Sequence, residues 1–146
     1  MTDEYYMKLA LDEAQMAMDE GEVPVGAVVV CNDRVIGRGH NLVETLTDVT
    51  AHAEIQAITA AEEYLGGKYL TECTLYVTVE PCAMCAGAIG WAQMGRLVFG
   101  ASDDKRGFRK VYGSERGPLH PKTQLTTGVL AAECSLLMSS FFASLR

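Results

Sequence analysis

Apolar residues recur every three or four positions from about Asp3 to Glu20, where Tyr6, Leu9, Ala10, Ala14, Ala17 and Met18 share one helical face. Thr2 or Asp3 can cap the start and Gly21 follows the end, so this stretch predicts a helix whose stripe packs on a core. The period then changes. Val23 to Cys31 is Val-rich and apolar almost throughout, Asn32-Asp33 supplies a turn, and Arg34 to Gly39 continues extended. Two strands joined by so short a polar link form an antiparallel hairpin, and the first is apolar enough to be covered on both faces. After a polar loop from Glu44 to Thr50, a helix is predicted from about Ala51 to Leu65. Thr50 or Asp48 caps it, Gly66-Gly67 closes it, and Ile55, Ile58 and Leu65 form its buried stripe.

The second half alternates in the same way. Thr74 to Val79 is β-branched and aromatic and reads as a strand. Pro81 suits the first turn of a helix running to about Gln93, apolar on every side, which predicts burial all round in the core or in a subunit interface. Leu97-Val98-Phe99 centres a strand from Arg96 to Gly100. Residues 101 to about 122 show neither period and predict a long surface loop, followed by a short strand from Gln124 to Thr127. Beyond Gly128, Leu130, Cys134, Leu137, Met138, Phe141, Phe142 and Leu145 have helical spacing. A hairpin, then helix–strand–helix–strand, predicts an α/β three-layer sandwich around a mixed sheet of about five strands. Right-handed crossovers make the strands near 75 and 98 parallel, and ligands gather at the carboxyl ends of such strands.

Composition narrows the class. A length of 146 residues, 49% of them apolar, suits one soluble domain over the whole chain, with no repeat or linker. The acidic start, Thr2-Asp3-Glu4, has no secretory character, and no apolar run approaches the roughly 20 residues of a membrane span, so a cytoplasmic location is expected. Five cysteines without a signal segment favour metal or free thiols over disulfides, with Cys31 and Cys134 as buried thiols. A net charge of −7 gives no global attraction to nucleic acid. The charge is uneven, however: Lys105, Arg106, Arg109, Lys110, Arg116 and Lys122 face only Glu115 within their stretch, a set of cations suited to phosphates or to a solvated face.

The candidate chemistry lies between His52 and Cys85. Cys82 and Cys85 are three apart in the first turn of one helix, so both sulfurs face one point and the helix terminus favours their thiolates. His52 starts the preceding helix, and Glu54 beside it leans over the same helix end. Three soft ligands leave a tetrahedral zinc one open position, the mark of a catalytic rather than a structural site. Cys73 is excluded as a fourth ligand because the intervening strand, at about 3.3 Å per residue, holds it some 20 Å away. His40 stands at a strand end without a ligand pattern, and His120 lies in the basic loop. A thioredoxin-like redox pair lacks its usual context.

His52-Ala-Glu54 with Pro81-Cys-Ala-Met-Cys85 is the known signature of zinc-dependent nucleobase deaminases. Around it stand Glu22-Val-Pro-Val-Gly-Ala-Val28, Asn41, Thr50-Ala-His-Ala-Glu-Ile55, Thr74-Leu-Tyr-Val-Thr-Val-Glu-Pro-Cys82 and Cys85-Ala-Gly-Ala88. With these residues the chain resembles the bacterial tRNA adenosine deaminases of the cytidine-deaminase-like superfamily over nearly its whole length. That resemblance implies a cytidine-deaminase-like fold and hydrolysis of adenosine to inosine at the wobble position of a tRNA anticodon. It implies one zinc per subunit on His52, Cys82 and Cys85, Glu54 as proton shuttle while a zinc-activated hydroxide attacks C6, Asn41 holding the target nucleotide, Val25 lining the base pocket, and a homodimer. The chain departs from the family at Trp91-Ala-Gln93, at Val49, along residues 106–121 and in having no basic tail. Two other functions suit the same zinc motif: deamination of free bases or nucleosides such as guanine or cytosine, and a non-catalytic zinc module.

Overall fold

The chain folds around a five-stranded sheet in the computed structural model, which describes residues 1–146. Helix α1 (Asp3–Asp19) opens on Thr2, whose hydroxyl accepts from the Tyr5 amide at 3.1 Å. Strands β1 (Gly26–Cys31) and β2 (Arg34–His40) form the hairpin, with Asn32 and Asp33 both at positive φ, as a tight hairpin turn requires. A short helix α2 (Val43–Leu46) occupies part of the expected polar loop. Helix α3 (Ala53–Leu65), strand β3 (Cys73–Val79), helix α4 (Ala83–Trp91) and strand β4 (Arg96–Ala101) follow as predicted to within two residues at each end. The remainder is α5 (Phe108–Tyr112), β5 (Gln124–Thr127) and α6 (Ala131–Ser144).

The strand order is β2-β1-β3-β4-β5, antiparallel across the first two pairings and parallel across the last two. This is the mixed α/β/α sandwich that the alternation of periods predicts. One face carries α3 and α4 over Val29, Leu75, Val77, Leu97 and Phe99; the other carries α1 and α6 over Val28, Val30, Tyr76 and Val98. Consecutive β1 valines therefore point to opposite cores. Helix α3 lies close on β2 because Gly37 and Gly39 offer no side chain: a Cβ at either would run into the carbonyl oxygen of Ala57 or Ala53. That close approach sets the height of the α3 N-terminus, and with it His52. No helix is long and apolar enough to cross a membrane.

Five local expectations are corrected. The 101–122 segment is not a bare loop, because Phe108 and Leu119 are buried and α5 forms, although five residues are too few to show a period. Helix α4 buries only Cys85, Ala86 and Ile89, leaving Trp91 86% and Met84 39% exposed. On α3 the buried stripe is Ala53, Ala57, Ile58 and Ala61, while Ile55 is half-buried and Leu65 exposed. On α6 only Cys134 and Phe141 are buried, and Cys31 is half-buried rather than enclosed.

His40 joins the end of β2 to α1. Its two ring nitrogens each lie 3.0 Å from a carboxylate, Nδ1 from Glu13 and Nε2 from Glu20, and Arg38 stands 3.9 Å from Glu13. Carboxylates only accept, so this geometry suits the doubly protonated ring. Burial opposes that charge, but the two hydrogen bonds outweigh it and raise the imidazole pKa above its ordinary 6.5. A raised folded-state pKa contributes stability fully below about 6.5, and loses it as pH rises through the folded value. Denaturant unfolding of wild type and His40→Ala across pH 5.5–9 is thus expected to show the widest gap at the acid end; a gap independent of pH would rule out the charged bridge.

Candidate active site

Two helix N-termini meet beyond the carboxyl end of β3. His52 is the N-cap residue of α3 and Cys82 that of α4, and neither side chain bonds back to its own helix. Both are thereby free to turn toward a common point, with Cys85 one turn further along α4. His52 Nδ1 lies 3.6 Å from Cys82 Sγ and 3.5 Å from Cys85 Sγ, and the three ligand atoms fall within 4.8 Å of one another. Zinc bonds of about 2.3 Å to sulfur and 2.0–2.1 Å to nitrogen, meeting at a tetrahedral angle, hold S and N about 3.6 Å apart. The triad fits zinc as it stands. Three ligands leave the fourth position open.

The electrostatics agree with that donor set. Without metal, the hydrogen bond from Cys85 pulls the Cys82 thiol down to about 4 against the cost of burial, with His52 lowering it further. The same bond and burial push Cys85 up, and the bond to Cys82 raises His52. Glu54 occupies the first turn of α3 at 3% exposure and is not part of the ligand cluster. Burial pushes its carboxyl up to about 7, while backbone hydrogen bonding and His52 pull the other way. A buried carboxyl in the first turn of α3, hydrogen-bonded to the ligand Cys85, is placed to carry protons at the open metal position. Cys73 opens β3 at its far end, buried and away from the triad, as strand length predicts.

Residues 1–101 match the family model of the cytidine and deoxycytidylate deaminase zinc-binding region. The chain belongs to this deaminase family. It is 45% identical to the tRNA-specific adenosine deaminase of Bacillus subtilis, over 99% of this chain and 91% of that one. It is similar to the solved structure of a tRNA:A34 deaminase that edits A to I at the wobble position, with TM-score 0.83, 42% identity and coverage of 91% and 98%. It is also similar to the guanine deaminase of Nitrosomonas europaea, with TM-score 0.79, 26% identity and coverage of 96% and 84%.

In this deaminase Asn41 and Val25 are brought together. The Asn41 amide donates to Val25 O at 3.1 Å, its Nδ2 donates to Val23 O at 3.3 Å, and its Oδ1 accepts from Val43 N at 3.1 Å. The next residue, Leu42, donates to Ala51 O at 3.0 Å, which ties this bracket to the residue before His52. An apolar cleft of about 460 Å³ lies elsewhere, between α3 and α4, lined by Ile58, Tyr69, Ala88 and Trp91.

Two buried carboxylates at the site's margins escaped the motif reading. Glu22 is 1% exposed and accepts from the amides of Glu44 and Thr45 and from the Thr45 hydroxyl, anchoring α2 beside Asn41. Glu80 accepts from the amides of Asp103 and Arg109 and from the Arg109 guanidinium, each at 3.1 Å. It thereby holds the 102–109 segment against the zinc-ligand turn, where Gly107 bridges Cys82 and Phe108 N donates to Pro81 O. The signal available in the sequence was a carboxylate between apolar neighbours, Val79 and Pro81, since a charge in such a run needs a buried partner.

Arg109 is therefore committed. Besides Glu80 it meets Glu115 at 3.2 Å and stacks 5.0 Å above the Phe99 ring. Arg116 likewise spends its guanidinium on the carbonyls of His120 and Thr123. This corrects the expectation that Arg109 is available for phosphate. Removing Arg109 strands a buried carboxylate, so Arg109→Ala is expected to destabilise the protein by about 3 kcal/mol, and adding Glu80→Gln to recover part of that. Denaturant unfolding of the two variants checks it; additive losses would mean that the pair is uncoupled.

Proposed function

We propose that this protein hydrolyses adenosine to inosine at the wobble position of a tRNA anticodon. The substrate rests on 45% identity to a tRNA-specific adenosine deaminase across 99% of the chain, joined to a ligand triad that fits zinc with one position open. In this reading His52, Cys82 and Cys85 hold the metal within a single deaminase domain spanning 1–146. Zinc, when bound, supplies Lewis acidity that makes a water ionise near neutral pH. Glu54 takes that water's proton and delivers it to N1 of the adenine, then takes the second proton from the oxygen now on C6 and passes it to the exocyclic amine, which leaves as ammonia.

Asn41 has one amide proton and one carbonyl lone pair left after its contacts with Val23 and Val43, and these hold the nucleotide. Val25, half-buried at the mouth of β1, lines the base pocket. With Arg109 committed elsewhere, the exposed Lys105, Arg106 and Lys110 are the cations left for anticodon phosphates. The bared α4 face, with Trp91 86% and Tyr69 51% exposed around an apolar cleft, is where a second copy of the chain would pack, forming a homodimer in the cytoplasm. Sedimentation at twice the chain mass is the expected result.

The fold likeness to a guanine deaminase favours deamination of a free purine as the second reading. One experiment separates the two. The protein is incubated with a tRNA pool and, in parallel, with free guanine or cytosine. A-to-G changes at a wobble base in the sequenced pool are expected; ammonia from free base with unchanged tRNA overturns the proposal.

A further inference from the structure

Strand β3 carries a reactive group at each end. Cys82 follows its carboxyl end in the zinc triad, whereas Cys73 opens it and faces β1 instead. In the antiparallel register of β1 and β3, Cys31 stands directly opposite Cys73. Residues so paired project to the same face. Here that is the α3 and α4 side, where Cys73 sits inside the core and Cys31 packs against it. The Cα atoms of directly opposed residues lie about 4.5–5.5 Å apart, within the roughly 4.4–6.8 Å that a disulfide spans. Both cysteines are free.

Access to the two is unequal. Cys73 is 2% exposed, and burial, reinforced by a hydrogen bond with Cys31, pushes its thiol up to about 12. Cys31 is half-buried and lines a surface cleft of about 230 Å³ with Arg34, Ile36 and Tyr64, room enough for a small oxidant. One sulfur can therefore meet solvent-borne reagents, and its partner is held where only the first can reach it.

We propose that Cys31 and Cys73 form a redox pair, remote from the zinc ligands, that a hydroperoxide converts into a cross-strand disulfide. The Cys31 thiolate attacks one peroxide oxygen and the O–O bond breaks. The departing hydroxide takes a proton and leaves as water, giving the Cys31 sulfenic acid. The Cys73 sulfur then attacks the Cys31 sulfur, forming the S–S bond as the S–O bond breaks; the Cys73 proton leaves with the hydroxide as a second water. The two thiols lose two electrons in all, and hydrogen peroxide gains them. Because Cys73 is held protonated, the second step is the slow one, so the sulfenic acid accumulates long enough to be trapped.

The test uses the zinc-loaded full chain and hydrogen peroxide. Peptide mapping without reductant is expected to show a Cys31–Cys73 crosslink and the loss of two hydrogens in intact mass, with zinc content unchanged. Adding a 1,3-dione probe early labels Cys31, and Cys31→Ser abolishes the crosslink while leaving Cys73 unmodified. Cys31→Ser alters a half-exposed site, so that control does not depend on repacking the core. Cys31 passing to sulfinic acid while Cys73 stays a free thiol overturns the proposal. So does oxidation of Cys82 or Cys85 with zinc release before any Cys31–Cys73 link appears.

Discussion

Glu54→Gln is expected to keep zinc and fold while lowering inosine formation by about 10⁴-fold, the upper end of what one acid–base group contributes. That factor corresponds to about 5.5 kcal/mol of barrier. The large effect follows from the double duty of one side chain, which moves one proton from water to N1 and a second from the C6 oxygen to the leaving amine; an amide can do neither. The fold is spared because Gln fills the same buried volume in the first turn of α3, and zinc is spared because Glu54 stands outside the ligand cluster. Single-turnover inosine formation on an anticodon stem-loop, with metal content measured on the same sample, checks both halves. A rate within tenfold of wild type would remove Glu54 from the proton path, and loss of zinc along with activity would make it part of the metal shell instead.

The parts of this site that local sequence reveals are those built by local structure. His52 and Cys82 lie at helix starts announced by turn and proline signals, and Cys85 follows Cys82 by a helical interval, so spacing predicts that the two sulfurs converge, while His52, 30 residues earlier, joins them as the deaminase signature implies. The walls of the site are built differently. Glu80 finds Arg109 29 residues away, and Glu22 finds Thr45 23 residues away. No periodicity links such pairs; Glu80 is visible only as a lone carboxylate in an apolar stretch, and Glu22, which follows Asp19 and Glu20, does not stand out even in that way. The same limit explains Arg109, which counts as one more cation in a basic run until Glu80 and Phe99 are seen to hold it. Helix α4 is a third case. Its uniformly apolar sequence says that every side is covered, but nothing in this one chain covers Trp91. Apolar patterning reports how much surface wants burial; it does not report whether the cover comes from the same chain.

Cys82→Ala is expected to abolish zinc binding and deamination together yet leave the protein folded. Two ligands cannot close a tetrahedral site around the ion, so metal content should fall from one per chain to near zero and activity to background. Folding is another matter. Small zinc modules unfold without metal because the ion supplies most of their cohesion. Here two apolar cores lie on opposite faces of a five-stranded sheet, and the one under α1 and α6, with Met7, Val28, Tyr76 and Val98, is on the face away from the helices that carry the triad. The metal-free site is also prearranged, because the thiols of Cys82 and Cys85 and the His52 ring already hydrogen-bond one another. Stripping zinc from the wild-type protein with a chelator should thus lower the melting temperature while preserving the circular dichroism spectrum, and returning zinc should restore activity. Cys82→Ala should show the same spectrum but no rescue. Unfolding on chelation would mean that zinc carries the fold as well as the chemistry, and rescue of Cys82→Ala by added zinc would show that Cys82 is not a ligand.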